Sequence, residues 1–430
     1  MQFTKVIGHL LAFAVGLTLE TEYEFIGTLR ISEIMLLVYL IIMLPFGKVK
    51  ELFATPFAVP VASLGLLWLG SQFISDMANH TSRVNLLKGH ANIGMILVSV
   101  AAFVVLFKPD PNRFASYLLG LFFCRIINRL RGVVDETATT EYWDRFIASW
   151  ASCGLILLML FLLHRKYRGS YVALLTIPYG CASIIFGGRS HGLAYLLTGV
   201  GLWYGTRGGP KDFLNYTRRQ FMWGGVALFV AAFLVFQVYV FFGLSGVLGD
   251  KARMQLRASS NPYNPIAVVS AGRGGLQVAF EAIADRPILG HGSKAYNRKY
   301  ITRAMRETTS EEYLRSIPVH SCIFGAWVFS GILGVPFWIA ILWIHVLFFR
   351  SAINSDHPQF VLLSAFLLVE GVWNIFFSPH GYARYAWPPF FVVNILLYQA
   401  AEQKRLAWER ETVQPERATP STPQWVATEV

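Results

Sequence analysis

The sequence has few charged residues and few cysteines for a chain of 430 residues. Asp, Glu, Lys and Arg make up 14% of it, hydrophobic residues make up 54%, and the mean hydropathy is positive. Soluble domains carry about 25% charged residues, so this composition argues against a soluble fold. The four cysteines lie in or beside apolar runs without metal or redox spacing, and they predict no disulfide framework.

Several motifs that would identify a reaction are also absent. The sequence has no Gly-x4-Gly-Lys-Ser/Thr loop, which argues against ATP-driven transport. It has no His-Glu-x-x-His, no paired Cys-x-x-Cys and no Asp-x-Asp pair, so we expect neither a catalytic metal nor a nucleotide-sugar substrate. We therefore expect no cofactor, and no nucleic acid among the partners.

Long apolar runs dominate the chain instead. A run of about 20 residues crosses the hydrocarbon core as a helix, and roughly twelve runs are candidates. Two of them, 114–127 and 190–204, are short and could be tilted, re-entrant or interfacial. The sequence therefore predicts an all-α, polytopic membrane protein embedded in lipid. The predicted spans are 4–19, 31–46, 53–75, 91–107, 114–127, 146–163, 171–187, 190–204, 221–248, 321–349, 359–378 and 384–401.

The distribution of Lys and Arg predicts the orientation. With a cytoplasmic N-terminus, inside segments carry 17 of these residues and the short outside loops carry 9. Cytoplasmic loops are enriched in Lys and Arg, so both ends are predicted inside. We expect nine spans over 1–249, a large periplasmic loop over 250–320 and three spans over 321–401. The tail over 402–430, which is Pro- and Thr-rich after Arg410, is expected to be cytoplasmic and disordered.

The 250–320 loop is the most informative part of the sequence. It carries eleven Lys and Arg against six Asp and Glu, and it ends in a single histidine, His320, where the chain re-enters the apolar region. A cationic loop covering a membrane bundle suits an anionic, lipid-linked substrate. His320 is also the right residue type for a general base near neutral pH; the alternative is an interfacial histidine without a catalytic role.

Two arginines are candidates for binding phosphate. Arg189 stands in Gly-Gly-Arg-Ser-His-Gly between apolar segments, where a guanidinium is costly. Arg273 stands in Gly-Arg-Gly-Gly before a segment with helical periodicity, and a glycine-rich helix start exposes N–H groups that bind anions. The alternatives are an arginine that extends to the interface and an ordinary loop cation.

Other polar residues are weaker candidates. His291, between two glycines, and Arg384, in Tyr-Ala-Arg-Tyr, could contact substrate, although a turn residue and an interfacial belt explain them as well. His191 is expected to start a helix rather than to catalyse. Five carboxylates are predicted to face outside and to be solvated: Asp76, Asp135, Glu136, Glu141 and Asp144.

Together these motifs resemble the O-antigen ligase and polymerase superfamily. The resemblance rests on Gly188-Arg189-Ser190, the Arg273 segment, Arg-Pro-Ile-Leu-Gly-His-Gly at 286–292, and His320-Ser321 followed by Gly-Ile-Leu-Gly at 331–334. It covers roughly residues 180–345. Ser321 departs from the pattern, because many members have Asn there.

This resemblance implies a C-type glycosyltransferase-like fold in the bacterial inner membrane. The implied reaction transfers a glycan from undecaprenyl diphosphate to an acceptor hydroxyl at the periplasmic face, without a metal and with inversion. Arg189 and Arg273 would bind the diphosphate, and His320 would activate the acceptor.

The acceptor stays open at this point. A ligase would use lipid A–core, which the basic loop favours because that acceptor bears phosphates. A polymerase would use a growing glycan. A lipid-linked oligosaccharide flippase is the alternative from another class, although it would be expected to carry charges within several helices around a cavity.

Overall fold

The computed structural model is predominantly helical. The residues that it describes are 2–24, 28–48, 50–131, 142–185, 189–206, 230, 233–234, 236–248, 250–265, 267–268, 274–301, 316–378 and 383–413.

In the N-terminal half, the described residues form ten helices and one short hairpin. The helices are α1 Gln2–Leu17, α2 Ile31–Met43, α3 Lys50–Phe53, α4 Ala58–Ala78, α5 Arg83–Phe107, α6 Arg113–Leu130, α7 Tyr142–His164, α8 Gly169–Ala173, α9 Thr176–Ile185 and α10 Arg189–Thr206. Strands β1 Glu22–Glu24 and β2 Thr28–Arg30 pair antiparallel, with Glu22 opposite Arg30. The Arg30 guanidinium lies 2.6 Å from Glu22, so a cross-strand ion pair supports a hairpin that the all-α prediction did not include.

Within the described residues that follow the predicted span at 221–248, six more helices have defined bounds. They are α11 Asp250–Ala258, α12 Gly274–Asp285, α13 Cys322–Ser330, α14 Val335–Ile353, α15 Pro358–Phe377 and α16 Ala383–Val413, with a 3-10 turn at Ile332–Gly334. The described residues of the predicted external loop therefore include two helices with defined bounds, α11 and α12.

Among the described residues, four helical segments are long and apolar enough to cross a membrane: α4, α5, residues 332–353 and α15. Shorter apolar helices cover 5–17, 31–43, 150–164 and 169–184. Apolar side chains also face outward along these helices; Leu66 and Trp343, for example, are about two-thirds exposed. A helix whose outer surface is apolar suits lipid rather than water, which supports the expectation of a helical membrane protein.

One predicted span, 321–349, is divided in the structure. Helix α13 ends at Ser330, and α14 begins at Val335 after the 3-10 turn. Gly331 lies at the break with φ +77° and ψ −172°, a conformation that essentially only glycine adopts. The predicted run at 321–349 is longer than the ~20 residues that one membrane span requires. Its first residues form the separate short helix α13.

Two other predicted boundaries differ as well. The predicted span at 171–187 consists of two helices, α8 and α9, and the last helix continues from the predicted end at 401 to Val413. Arg405 contacts Glu402 and Glu409 at helical spacing, and such pairs stabilise an exposed helix. Residues 414–430 lie outside the described part of the chain.

Two apolar clusters hold the C-terminal helices in place. Trp68 of α4 packs edge-on against Trp338 of α14, which in turn contacts Trp387 of α16. A second cluster joins α12 to α13 through buried residues that include Val278 and Val328. This second cluster fixes part of the predicted external loop on the helical bundle.

Candidate functional site

The segments with the candidate residues meet at one end of the bundle, which we call the loop face. It consists of the ends of α4 at Ala78 and of α15 at Phe377, with residues 274–301 and 316–321 lying against them. Ser293 donates to Asp76 near the end of α4, and Ser321 donates to the carbonyl of Ile375 near the end of α15. Short helix α13 connects these two contacts, since it begins after Ser321 and its last residues bind α4.

His320 lies half-buried between two anchored neighbours. On one side, the Ile317 amide donates to the carbonyl of Ala295 at 2.9 Å. On the other, the fully buried Ser321 donates to Ile375 at 2.9 Å and accepts the Phe324 amide as the N-cap of α13. The backbone around His320 is therefore tightly positioned. Ser321 therefore has a helix-capping role here.

A carboxylate absent from our sequence-based candidates, Glu370, lies on the same end of α15. Its side chain is 13% exposed, and its Oε1 is 3.4 Å from Nδ1 of His191 on α10. Asn374, one turn further, donates to the other carboxylate oxygen at 3.4 Å and accepts from Ser378 at 2.6 Å. An ionisable residue in an apolar helix is a functional candidate by default, and that signal was available in the sequence.

For the two phosphate-binding candidates, Arg189 and Arg273, the structure describes the position of the helix beside each residue and not the side chain itself. Arg189 is the first residue of α10, whose third residue, His191, reaches Glu370. Arg273 lies outside the described residues, but α12 begins at the next position. Helix α12 packs on α13, with the rings of Phe280 and Phe324 4.8 Å apart. The backbone thus brings the start of α10 and the segment around His320 to α15, and α12 to the neighbouring α13.

A buried carboxylate, Asp76, fastens the 286–300 segment to α4. Asp76 is 1% exposed and accepts from the Ser293 amide at 2.5 Å and from its hydroxyl at 2.8 Å. Gln72 donates to it at 3.3 Å, and His90 Nδ1 lies 3.5 Å away. The prediction that Asp76 is solvated was wrong, because a partner 217 residues away compensates its burial.

The Gly-His-Gly stretch forms a close backbone contact with the end of α13. The His291 and Gly292 amides donate to the carbonyls of Val328 and Phe329 at 2.7 and 3.0 Å. Gly290 and Gly292 have φ of +72° and +84°, and a Cβ on Gly290 would lie 2.5 Å from the next chain segment. The positive φ angles favour glycine at both positions, and at Gly290 the close approach of the neighbouring backbone also leaves no room for a side chain.

A polar pocket of about 410 Å³ opens between two of these elements. It lies between the α4–α5 turn, with Asn79 and Asn85, and the 285–300 segment, with His291 and Tyr296. Burial lowers the pKa of His291, so the ring is neutral at neutral pH. Its Nε2 donates to the Ala282 carbonyl at 2.8 Å, which leaves Nδ1 as an acceptor.

Asp285, at the edge of this pocket, is already paired. Lys299 donates to it at 2.5 Å, and Tyr300 also donates to it. The Lys299 hydrogen bond lowers the pKa of Asp285, whereas burial raises the pKa of Tyr300. Both groups therefore keep their ordinary charge states at neutral pH.

Arg384, the other candidate substrate contact, is paired with the buried Glu33 of α2 and is 14% exposed. Glu33 also accepts from the Arg30 amide at 2.9 Å, and the Arg30 guanidinium stacks 3.4 Å above the ring of Tyr385. These contacts tie the start of α16 to the hairpin, so Arg384 has a structural role whatever else it binds. The four other predicted solvated carboxylates, Asp135, Glu136, Glu141 and Asp144, lie outside the described side chains.

Within the described part of the chain, no group of three or more His, Cys, Asp or Glu side chains could hold a metal ion. Comparison with protein-family models and with curated proteins found no match to this chain.

Proposed function

We propose that the protein is an O-antigen ligase-type glycosyltransferase that moves a glycan from undecaprenyl diphosphate to an acceptor hydroxyl. The observation that carries this proposal is the convergence at the loop face. The start of α10 meets α15 at Glu370, and the segment with His320 meets α15 at Ile375. Five residues of helix separate these contacts, about 7.5 Å along the axis.

The proposed chemistry needs a base on one side of the anomeric carbon and cations on the other. His320 accepts the proton of the acceptor hydroxyl, and the oxygen forms a bond to the anomeric carbon. The bond from that carbon to the diphosphate oxygen breaks, and undecaprenyl diphosphate leaves with the electron pair. Arg189 and Arg273 stabilise the charge on the leaving group, and attack from the opposite side inverts the configuration.

The topology of the proposal follows the positive-inside distribution. About twelve spans cross the bacterial inner membrane, both termini are cytoplasmic, and the loop face is periplasmic. In that topology the α4–α5 turn and the 250–320 loop lie on the same side. The contacts of Asp76 and Asn79 with Ser293 and Gly290 support this arrangement.

The first prediction concerns His320. His320→Gln keeps a hydrogen-bonding side chain but cannot carry the proton, so transfer should fall by about 10²–10⁴-fold. The measurement is glycan transfer by purified protein in lipid nanodiscs, with binding of the lipid-linked donor measured in parallel. Donor binding should persist, because the arginines are unchanged.

His357→Gln is the matched control. His357 lies between α14 and α15 and contacts Lys404, away from the loop face. It should transfer glycan at the wild-type rate. Transfer by His320→Gln at close to the wild-type rate would mean that the base is another group, with Glu370 the first alternative. Assays with lipid A–core and with a repeat-unit acceptor then separate a ligase from a polymerase.

The second prediction concerns the cations. Lysine keeps the charge of Arg189 or Arg273 but loses the forked geometry that matches a phosphate. Arg→Lys at either position should weaken donor binding and transfer, and Arg→Ala should weaken them further. The control is Arg298→Lys, an exposed position in the same loop. Normal donor binding by both alanine variants, at equal protein level, would exclude a diphosphate-binding role.

A further inference from the structure

The polar pocket at the loop face is not used by the proposed reaction. It lies beside the C-terminal end of α13, whereas His320 precedes its N-terminal end. The nine residues of α13 span about 13 Å. His320 does not line the pocket, so a ligand there would contact other groups than the proposed base, and its binding energy would serve to hold a part of the substrate that does not react.

The chemistry of the lining is that of a saccharide site. Among the residues that line the pocket, Ala295 alone has an apolar side chain. Asn79, Asn85 and Asn297 carry amides that both donate and accept, as sugar hydroxyls do. Tyr296 is 66% exposed beside them and offers an aromatic face to the C–H face of a sugar ring. A lipid chain, by contrast, would find almost no apolar wall.

The charge of the pocket favours an anionic substituent. Its one carboxylate, Asp285, is neutralised by Lys299. Arg286 lines the pocket and donates to the neutral amide of Asn79, so this hydrogen bond leaves its positive charge in place. A guanidinium beside amides and hydroxyls can bind a phosphate or carboxylate through a charge-assisted hydrogen bond.

The walls of the pocket are held rigidly. Ser293, which lines the pocket, donates its amide to the buried Asp76, and the Asn79 amide donates to the Gly290 carbonyl at 3.2 Å. The Trp327 indole donates to the Pro287 carbonyl at 2.7 Å. A site with fixed walls loses little conformational entropy when a ligand binds.

We infer that this pocket binds a saccharide bearing an anionic group, and, on the basis of the proposed function, that this saccharide is part of the acceptor. About 410 Å³ is within the range of small-molecule sites, about 300–1,000 Å³. The pocket would then select acceptors by a feature other than the hydroxyl that reacts.

The test measures binding directly, without any transfer. The probe is the phosphorylated core oligosaccharide released from lipopolysaccharide by mild acid, alone and after removal of its phosphates. Each is titrated into full-length protein in nanodiscs by calorimetry. Wild type should bind both, and the phosphorylated form about ten-fold or more tightly, because of the charge-assisted bond.

The variants separate the two features of the site. Tyr296→Ala should weaken both forms by about ten-fold, because both use the aromatic face. Arg286→Gln keeps a donor for Asn79 but removes the charge, so it should weaken the phosphorylated form alone. Arg298→Gln, at an exposed position that does not line the pocket, is the matched control and should bind as wild type.

Two results would overturn the inference: no binding of either form to wild type, or wild-type affinity in both Tyr296→Ala and Arg286→Gln. His320→Gln distinguishes the two proposals, since it should abolish transfer and retain oligosaccharide binding. If His320→Gln loses binding while the pocket variants keep it, the saccharide binds at the reacting centre and the pocket has no such role. Binding at the pocket without any transfer by wild type would refute the transferase and leave the saccharide site standing.

Discussion

At the scale of single residues, Gly331 shows how one position decides the path of the chain. Its backbone conformation essentially requires glycine, and a Cβ there would lie 2.0 Å from the Ile288 carbonyl oxygen. The Ile332 amide donates to that same carbonyl at 3.2 Å. Gly331 therefore ends α13 and allows the chain to change direction before α14. Because it has no side chain, the backbone at Ile288 can also pack directly against it.

We predict that Gly331→Ala destabilises the protein more than Gly246→Ala does. Gly246 also has positive φ, +86°, but a Cβ there meets nothing within 4 Å. The control variant therefore carries only the backbone strain, about 1–3 kcal/mol, while Gly331→Ala adds a clash with main chain. Thermal unfolding in detergent, followed by tryptophan fluorescence, measures the difference. An equal decrease in Tm for the two variants would show that the backbone at Ile288 can move away from the added methyl group at little cost.

At the scale of elements, α13 is the connection on which the site depends. It is too short to cross a membrane, and it carries the His320 segment at one end and the pocket wall at the other. Its C-terminal carbonyls are bound by α4 side chains: Ser75 donates to Phe329 at 2.8 Å and Ser71 to Ser330 at 2.6 Å. These bonds satisfy carbonyls that a helix end leaves without partners.

We predict that Asp76→Asn loosens the 286–300 segment. The variant removes the charge that Ser293 binds, and a hydrogen bond to a charged group contributes about 1.5–3 kcal/mol, so opening of the segment should increase about ten-fold or more. Limited trypsin digestion in nanodiscs measures this through cleavage after Lys294, Arg298 and Lys299.

Ser293→Ala should have a similar effect, because it removes one of the same bonds. The matched control is Asp110→Asn, near the opposite end of α5, where Asp110 contacts His9 at 3.2 Å. That variant should be cleaved at the wild-type rate. Unchanged digestion in both Asp76→Asn and Ser293→Ala would show that the segment is held by the glycine contacts with α13 instead.

At the scale of the whole molecule, orientation decides which compartment reaches the loop face. We predict that Ser260→Cys is labelled by a membrane-impermeant maleimide in intact spheroplasts and that Arg410→Cys is labelled only after lysis. The reason is the excess of Lys and Arg in the inside segments. Both positions are exposed, and replacing Cys181 by serine removes the exposed native thiol; the other three cysteines are buried.

The opposite labelling pattern would place the loop face in the cytoplasm. The proposed periplasmic reaction would then fail, whereas the saccharide site would remain testable by binding. The Cys181→Ser protein without added cysteines should show no labelling before or after lysis, which controls for the buried thiols.

The sequence by itself determined the helical, lipid-compatible character of the chain. Main-chain groups in lipid must bond within helices, so runs of apolar residues locate helices without tertiary information. Most predicted spans accordingly correspond to helices in the described residues, such as 91–107 within α5 and 359–378 at α15. The roles of His320, Arg189 and Arg273 came from the same source, and they stay predictions.

The tertiary structure alone decided how the ends of those helices are used. Asp76 and Ser293, 217 residues apart, form one buried contact, and Gly331 divides a run that hydropathy shows as continuous. Glu370 joins His191 for the same reason: the partners come from different helices. Periodicity reports which face of a helix is apolar, whereas burial of a charge depends on a compensating group that only packing supplies.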